Sequence, residues 1–368
     1  MPIEFLGMGA TNDGSETVRR SGGSFDPEYT VRLARAHEDT GWDRVLTAYG
    51  SGMPDPALAA AHIAAHTTTL QLLLAWRPNL STPTFAAKTY ATLDILSGGR
   101  LTVHFITGGN DHEQRREGDW LSHDERYART REYIQIVKRA WTSRETFSWS
   151  GSHYRFEDFV ADVFPVQQPR PRVSFGGSSA AAYEVGSAEA DIYCLWGEPL
   201  EDTAEQIETV RRLSAAAGVP MPRIQVAFRP ILAPTEAAAW EKAHGIVEQI
   251  LSRRGGGKNP WVRGSRGGPE NAGSQRLLSI AARGDVLDER LFTATARATG
   301  AAGNSNALVG TPEQVAAAML RYVDLGVDIL SARGYDTLND AVEFGREVIP
   351  LIREEVAKRD RERERVQT

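Results

Sequence analysis

The feature that most constrains this chain is a rhythm: a short apolar strand, a turn and a helix, repeated eight times. Strand candidates fall at Ile3–Gly9, Arg44–Tyr49, Leu70–Trp76, Leu101–Thr107, Val173–Phe175, Ile192–Trp196, Ile224–Leu232 and Ile329–Ser331. Most are nearly continuous apolar runs, the pattern of strands buried on both faces in a parallel sheet. Leu101–Thr107 is the clearest, a β-branched, mostly apolar run with His104 and Thr107 as its exceptions, and it ends in the Gly108-Gly109 turn. Helix signals sit between the runs: Asp26-Pro27 as cap and first-turn proline, a stop at Ser97-Gly98-Gly99, and a start at Pro312. Eight such units in 368 residues predict a closed α/β (β/α)8 barrel over residues 1–353. A doubly wound sheet would need two insertions to use the same length. Outside the repeat the reading places a small β excursion at about 147–168 and a Gly/Arg-rich lid at about 253–273. A charged tail at 354–368 is expected to fray or lie on the surface.

Composition narrows the function classes. A net charge of -6 disfavours a general nucleic-acid binder. No window approaches the roughly 20 apolar residues a membrane span needs. Met1–Leu6 lacks a basic, then apolar, leader pattern, so the cytoplasm is the expected compartment. Cys194 is the only cysteine, which excludes an internal disulfide and a cysteine-rich metal site. His62 and His66 have the i, i+4 spacing of zinc ligands, but no Glu follows His62. Two partly exposed helix residues, and no metal, are the expectation.

Ligands of a parallel barrel bind at the carboxyl ends of its strands and in the loops just beyond. Those positions hold Asn12, Arg77, Thr107, Ser178, Ser179, Trp196, Arg229, Arg333 and Tyr335. Gly176-Gly-Ser-Ser179 joins a strand to a helix, where free backbone N–H groups and hydroxyls suit a phosphate. Arginines at the ends of apolar strands need a partner or an anionic ligand, because an isolated buried charge is prohibitive. For Arg77 a structural ion pair stands as an equal alternative. No nucleophile–base pair, paired carboxylates or Gly-x-Gly-x-x-Gly accompanies these groups. Phosphate donors, aromatics and arginines without acid–base machinery point to a bound cofactor as the reactive species.

At these residues the chain resembles the bacterial-luciferase-like flavin monooxygenases, and most closely the alkanesulfonate monooxygenases. The matching features are Arg77-Pro78, Thr82-Pro83-Thr84, Ala91-Thr-Leu-Asp94, Leu96-Ser-x-Gly-Arg100, Ile106-Thr107-Gly108 and His123-x-Glu-Arg126-Tyr127. They continue with Gln168-Pro169, Phe175-Gly-Gly-Ser-Ser179, Trp196-Gly-Glu-Pro199, Arg229 and Gly334-Tyr335. The resemblance implies a barrel that takes reduced FMN from a separate NAD(P)H-dependent FMN reductase. It then uses O2 to oxygenate a small anionic organosulfur compound, releasing sulfite from a sulfonate. It also implies a homodimer or homotetramer. By position Ser178 and Ser179 would hold the FMN phosphate, with Tyr127 nearby; Arg77, His104 and Thr107 join the cofactor set. Trp196, Arg229, Arg333 and Tyr335 would shape the reaction site, and the 253–273 segment corresponds to a mobile lid.

Four departures bear on the substrate. His104 stands where relatives often carry Asn, and Ile231 where sulfonate enzymes carry His. Thr299-Gly300 replaces an arginine, for which Arg333 would compensate, and the Gly52-Met53 region replaces a cysteine. Flavin binding is untouched by these changes. Another small substrate such as a sulfone, or a deazaflavin-dependent dehydrogenase of the same fold, stays open.

Overall fold

In the computed structural model, which describes residues 2–255 and 269–367, each predicted apolar run is a strand. In chain order the elements begin β1 (Glu4–Met8), α1 (Pro27–Asp39), β2 (Arg44–Thr47), α2 (Pro56–His66), β3 (Gln71–Trp76), α3 (Pro83–Ser97) and β4 (Leu101–Phe105). Next come α4 (Asp111–Arg116), α5 (His123–Thr142), β5 (Phe147–Ser150), β6 (Arg155–Phe159), β7 (Arg172–Gly176), α6 (Ala180–Glu189), β8 (Ile192–Trp196) and α7 (Leu200–Ala216). The chain continues through β9 (Arg223–Leu232), α8 (Glu236–Gly255), α9 (Ala272–Ala281), β10 (Val286–Leu287), β11 (Leu291–Phe292) and α10 (Ala294–Thr299). It ends with β12 (Ala307–Gly310), α11 (Pro312–Asp324), β13 (Val327–Ala332), α12 (Thr337–Glu347) and α13 (Ile349–Gln367).

Strands β1, β2, β3, β4, β7, β8, β9 and β13 pair in parallel, and β13 returns to β1, so the barrel closes with eight strands. The helix boundaries follow local chemistry. Asp26 accepts from the Tyr29 amide at the start of α1, with Pro27 in the first turn. Gly98 ends α3 in the left-handed region at φ 67°. Ser122 and Glu125 form a reciprocal capping box at the start of α5.

The barrel interior changes character along its axis. At the amino-terminal end Glu4 binds Arg44 and Arg223, with Arg172 at 3.7 Å, while Arg44 also donates to Gln71 at 2.7 Å. Burial alone would raise the Glu4 carboxyl, but these cations hold it below the usual range. Above this ionic floor lies a layer of strand residues, Leu6, Leu46, Leu73, Ile192 and Ile329, which packs separately from the larger core under the helices. The upper interior is polar, with His104, Ser174 and Cys194 on adjacent strands.

Three features depart from the periodic reading. Strand β9 is ten residues long: Ile224–Phe228 pairs with β13, whereas Arg229–Leu232 pairs with β12. Strands β12, β11 and β10 thus extend the sheet as a wing outside the barrel. Within the 147–168 excursion, Phe147–Phe159 forms the antiparallel β5–β6 hairpin and the rest is loop. The charged tail is helical: α13 is anchored by buried Ile349 and Ile352 and by Arg359 bonded to Asp324 at 2.7 Å. The lid reading falls largely on residues 256–268, outside the described residues; Arg253 lies in the last turn of α8 and Gly273 in the first turn of α9.

Candidate functional site

The carboxyl-terminal mouth of the barrel is built from four groups of residues. The first is the β7–α6 turn. Gly177 holds φ 140°, and a Cβ there would sit 2.7 Å from Ala182 and 3.3 Å from the Tyr127 hydroxyl. Only glycine lets the backbone run this close, which leaves a cradle of amides at the start of a ten-residue helix. Ser179 caps α6 by accepting from the Ala182 amide at 3.2 Å, so its own proton is still available to a ligand. Ser178 donates to Gln206 Oε1 at 3.3 Å, which also accepts from Tyr183. Gln206 in turn donates to Glu198, a buried carboxylate gripped by Arg276 at 2.9 and 2.6 Å. A groove of about 1020 Å³ opens from Ser179 and Tyr127 along α5 toward the β5–β6 hairpin.

The second group lies at the ends of β3 and β4. Arg77 is buried and turned into its own loops, donating to Glu117 at 2.8 Å and Glu113 at 3.1 Å, with its guanidinium 5.0 Å from the Tyr49 ring. Thr107 is buried at the strand end beside Gly108, whose φ of 84° makes room for the Gln114 amide. His104, lower in the barrel, is partly exposed, and its Nδ1 lies 2.9 Å from Ser174 Oγ. Burial pushes the His104 imidazole down to about 4, so it is neutral near neutral pH.

The third group gathers at the ends of β9 and β13. Arg229 donates through Nε to the Arg333 carbonyl at 2.7 Å and through Nη2 to the Gly334 carbonyl at 3.0 Å. Both of its terminal nitrogens also meet Glu16, at 3.1 and 3.0 Å, and its guanidinium stacks 4.0 Å from the Tyr335 ring. Arg333 donates to the same Glu16 carboxylate at 2.8 Å, and its side chain is 30% exposed against 1% for Arg229. Burial works against the charged Glu16, but the two guanidinium groups hold its carboxyl far below the usual carboxylate range. The loop carrying Glu16 is tied down by Ser15 and Thr17, which both donate to the Tyr335 carbonyl.

Trp196, at the end of β8, forms the fourth group. Its indole lies against the start of α9, where a Cβ on Gly273 would come within 2.7 Å, and it packs with Leu277 and Leu278. The segment leading into α9 also reaches the far side of the mouth, where Glu270 accepts from the Asp111 amide at 2.8 Å.

The structure therefore brings Ser178, Ser179 and Tyr127 together on one side, and Arg229, Arg333 and Tyr335 on the other. Sequence reasoning missed the carboxylates, Glu16 for the arginine pair and Glu113 and Glu117 for Arg77. One signal was available for Glu16. In a closed barrel the first strand lies beside the eighth, so the acidic residues of the first loop, Asp13 and Glu16, are natural partners for Arg333. Among the described residues there is no cluster of three or more His, Cys, Asp or Glu able to hold a metal, and no helix long and apolar enough to cross a membrane.

Known structures share this architecture. Riboflavin lyase (RcaE), solved with modified FMN and riboflavin, aligns with a TM-score of 0.77 at 21% identity over 96% of this chain and 92% of its own. EDTA monooxygenase (EmoA) from Chelativorans sp. BNC1 aligns with a TM-score of 0.76 at 17% identity over 96% and 94%. An F420-dependent secondary alcohol dehydrogenase aligns with a TM-score of 0.68 at 14% identity over 96% and 99%. At these identities the likeness is one of fold. Residues 6–329 match the luciferase-like monooxygenase family along most of the barrel, and the chain belongs to that family.

Proposed function

We propose that the chain is a two-component monooxygenase that binds reduced FMN from an NAD(P)H-dependent FMN reductase and uses O2 to oxygenate a small organosulfonate, with release of sulfite. The observation that carries the flavin half is the cradle at Gly177, Ser178 and Ser179, with the Tyr127 hydroxyl beside it. It offers amides, hydroxyls and a helix N-terminus, which fits a phosphate. Bound reduced FMN would supply the electrons and activate the oxygen. Ser178, Ser179 and Tyr127 hold the phosphate, and His104 and Thr107 meet the ring.

On the substrate side Trp196 and Tyr335 form apolar walls. Arg229 is spent on protein acceptors and positions Tyr335 and the Arg333 backbone. Arg333, more exposed and bonded to Glu16 through Nη2, keeps donors for an anionic head group. Arg77, neutralised by Glu113 and Glu117, braces the loops around the flavin site.

Glu16 also favours a second reading. It already neutralises one of the two guanidinium charges, so a substrate with a polar but uncharged head, such as a sulfone, meets less competition there. The test is a titration with FMN, riboflavin and the deazaflavin F420, followed by turnover with reduced FMN, O2 and paired sulfonates and sulfones. Sulfite release supports the sulfonate reading. Oxygenated product from sulfones alone transfers the assignment to them, and binding of F420 in place of FMN overturns the monooxygenase reading.

A further inference from the structure

Beneath the mouth three side chains from adjacent strands form a chain of contacts, of which only His104 has a role above. His104 on β4 and Ser174 on β7 are register partners, and Cys194 follows on β8. Ser174 Oγ lies 2.9 Å from His104 Nδ1 and 3.2 Å from Cys194 Sγ, whereas His104 and Cys194 are 3.9 Å apart. Ser174 is fully buried, so its hydroxyl has no recourse to solvent. Its single proton can go to only one neighbour.

Two arrangements of a neutral imidazole run through Ser174, whose contacts are shorter than the direct 3.9 Å one between Cys194 and His104. In one, Cys194 S–H donates to Ser174 Oγ and Ser174 O–H donates to His104 Nδ1. In the other, His104 Nδ1–H donates to Ser174 and Ser174 donates to the sulfur. Thioether and thiol sulfur are weak acceptors, whereas an unprotonated imidazole nitrogen is a strong one. The first arrangement therefore uses each group for what it does best. Burial keeps the thiol protonated by pushing it up to about 12, so the S–H donor persists across the working range.

We infer that Ser174 is a positioning residue that holds neutral His104 as its Nε2–H tautomer, with Cys194 satisfying the serine oxygen from behind. The fourth strand would then present an uncharged hydrogen-bond donor to a flavin bound in the mouth. The second half rests on the flavin reading given above; the tautomer does not.

The test uses full-length protein labelled with [15N]histidine and two-bond 1H–15N correlation spectra, in which the two tautomers give different patterns. The His104→Asn variant identifies the His104 signals among the eight histidines. The parent should show Nε2 protonated, Ser174→Ala should shift the population toward Nδ1–H, and Cys194→Ala should leave it in place. An Nδ1–H tautomer in the parent, or a His104 signal indifferent to Ser174→Ala, overturns the inference. For the flavin half, Ser174→Ala should weaken oxidised FMN and riboflavin alike, by about 5-fold, the scale of one neutral hydrogen bond. A shifted tautomer with both affinities unchanged shows that the donor faces something other than flavin. If the parent binds neither ligand, the flavin half falls with the proposed function while the spectra still decide the tautomer.

Discussion

Replacing Glu16 with glutamine tests the charge cluster most sharply. The substitution keeps the volume and one acceptor but removes the charge shared by Arg229 and Arg333. Arg229 is 1% exposed, and its remaining partners are the carbonyls of Arg333 and Gly334. Breaking a buried ion pair from one side costs roughly 3–5 kcal/mol, because a charge is left uncompensated. Here Arg333 is 30% exposed and Glu16 itself 16%, so water screens part of the loss and the low end, about 3 kcal/mol, is expected. Urea unfolding should show a lower midpoint at an unchanged slope. Glu16→Ala instead empties the carboxylate's place between the two guanidinium groups, so sulfate should restore part of the loss in that variant and do little for the parent. Acid gives a second check. The folded Glu16 carboxyl lies far below its unfolded value of about 4.5, so its contribution is full above that value and is lost as pH falls below it. Stability of the Glu16→Gln protein should therefore decline less steeply below about pH 4.5 than that of the parent. A loss under about 1 kcal/mol in Glu16→Gln, without any sulfate effect in Glu16→Ala, would refute the account of Arg229 as dependent on this one carboxylate.

Further outcomes follow from other sites. Ser178→Ala with Ser179→Ala should weaken FMN more than riboflavin in a fluorescence titration, and equal losses would place the phosphate elsewhere. Loss of the Ser179 cap should also cost about 1 kcal/mol of stability. Glu38 accepts from the amides of Thr68, Thr69 and Leu70, which hold its carboxyl down to about 2 even though burial works against the charge. Its contribution is present above about pH 4.5 and lost as pH falls toward 2; Glu38→Gln should cost about 1–2 kcal/mol at neutral pH, read by chemical denaturation. Gly273→Ala should drive α9 off the Trp196 indole, costing about 1–3 kcal/mol, and a double-mutant cycle with Trp196→Phe should recover part of it.

The barrel was legible because its signals are local and repeated. Apolar runs such as Leu101–Phe105 and caps such as Asp26 need no knowledge of the rest of the chain. The β10–β12 wing was not, since two of its strands are two residues long and carry no period. The tail lies on the surface as its charge density suggests, but its helix was not read, because charge density alone also suits a frayed segment. The structure spends those charges on pairs such as Arg359 with Glu355 and Asp324, around a helix anchored by Ile349 and Ile352. Strand-end residues of the site could be read from their positions. Their carboxylate partners lie outside the strands, in the first loop and in short α4 and just beyond it, where distance along the chain says nothing about distance in space.

Strand β9 belongs to two structures at once. Its first half is a barrel stave and its second half is the edge on which β12 is built, with Arg229 at the change of partner. A chain divided on either side of the wing would not yield two independent pieces, because one continuous strand serves both. The wing and barrel should therefore exchange their amide hydrogens as one cooperative unit, with protection continuous from Ile224 to Leu232. Circular permutation or grafting of a foreign segment belongs elsewhere, for instance at the exposed β5–β6 hairpin, whose removal would leave every barrel pairing intact.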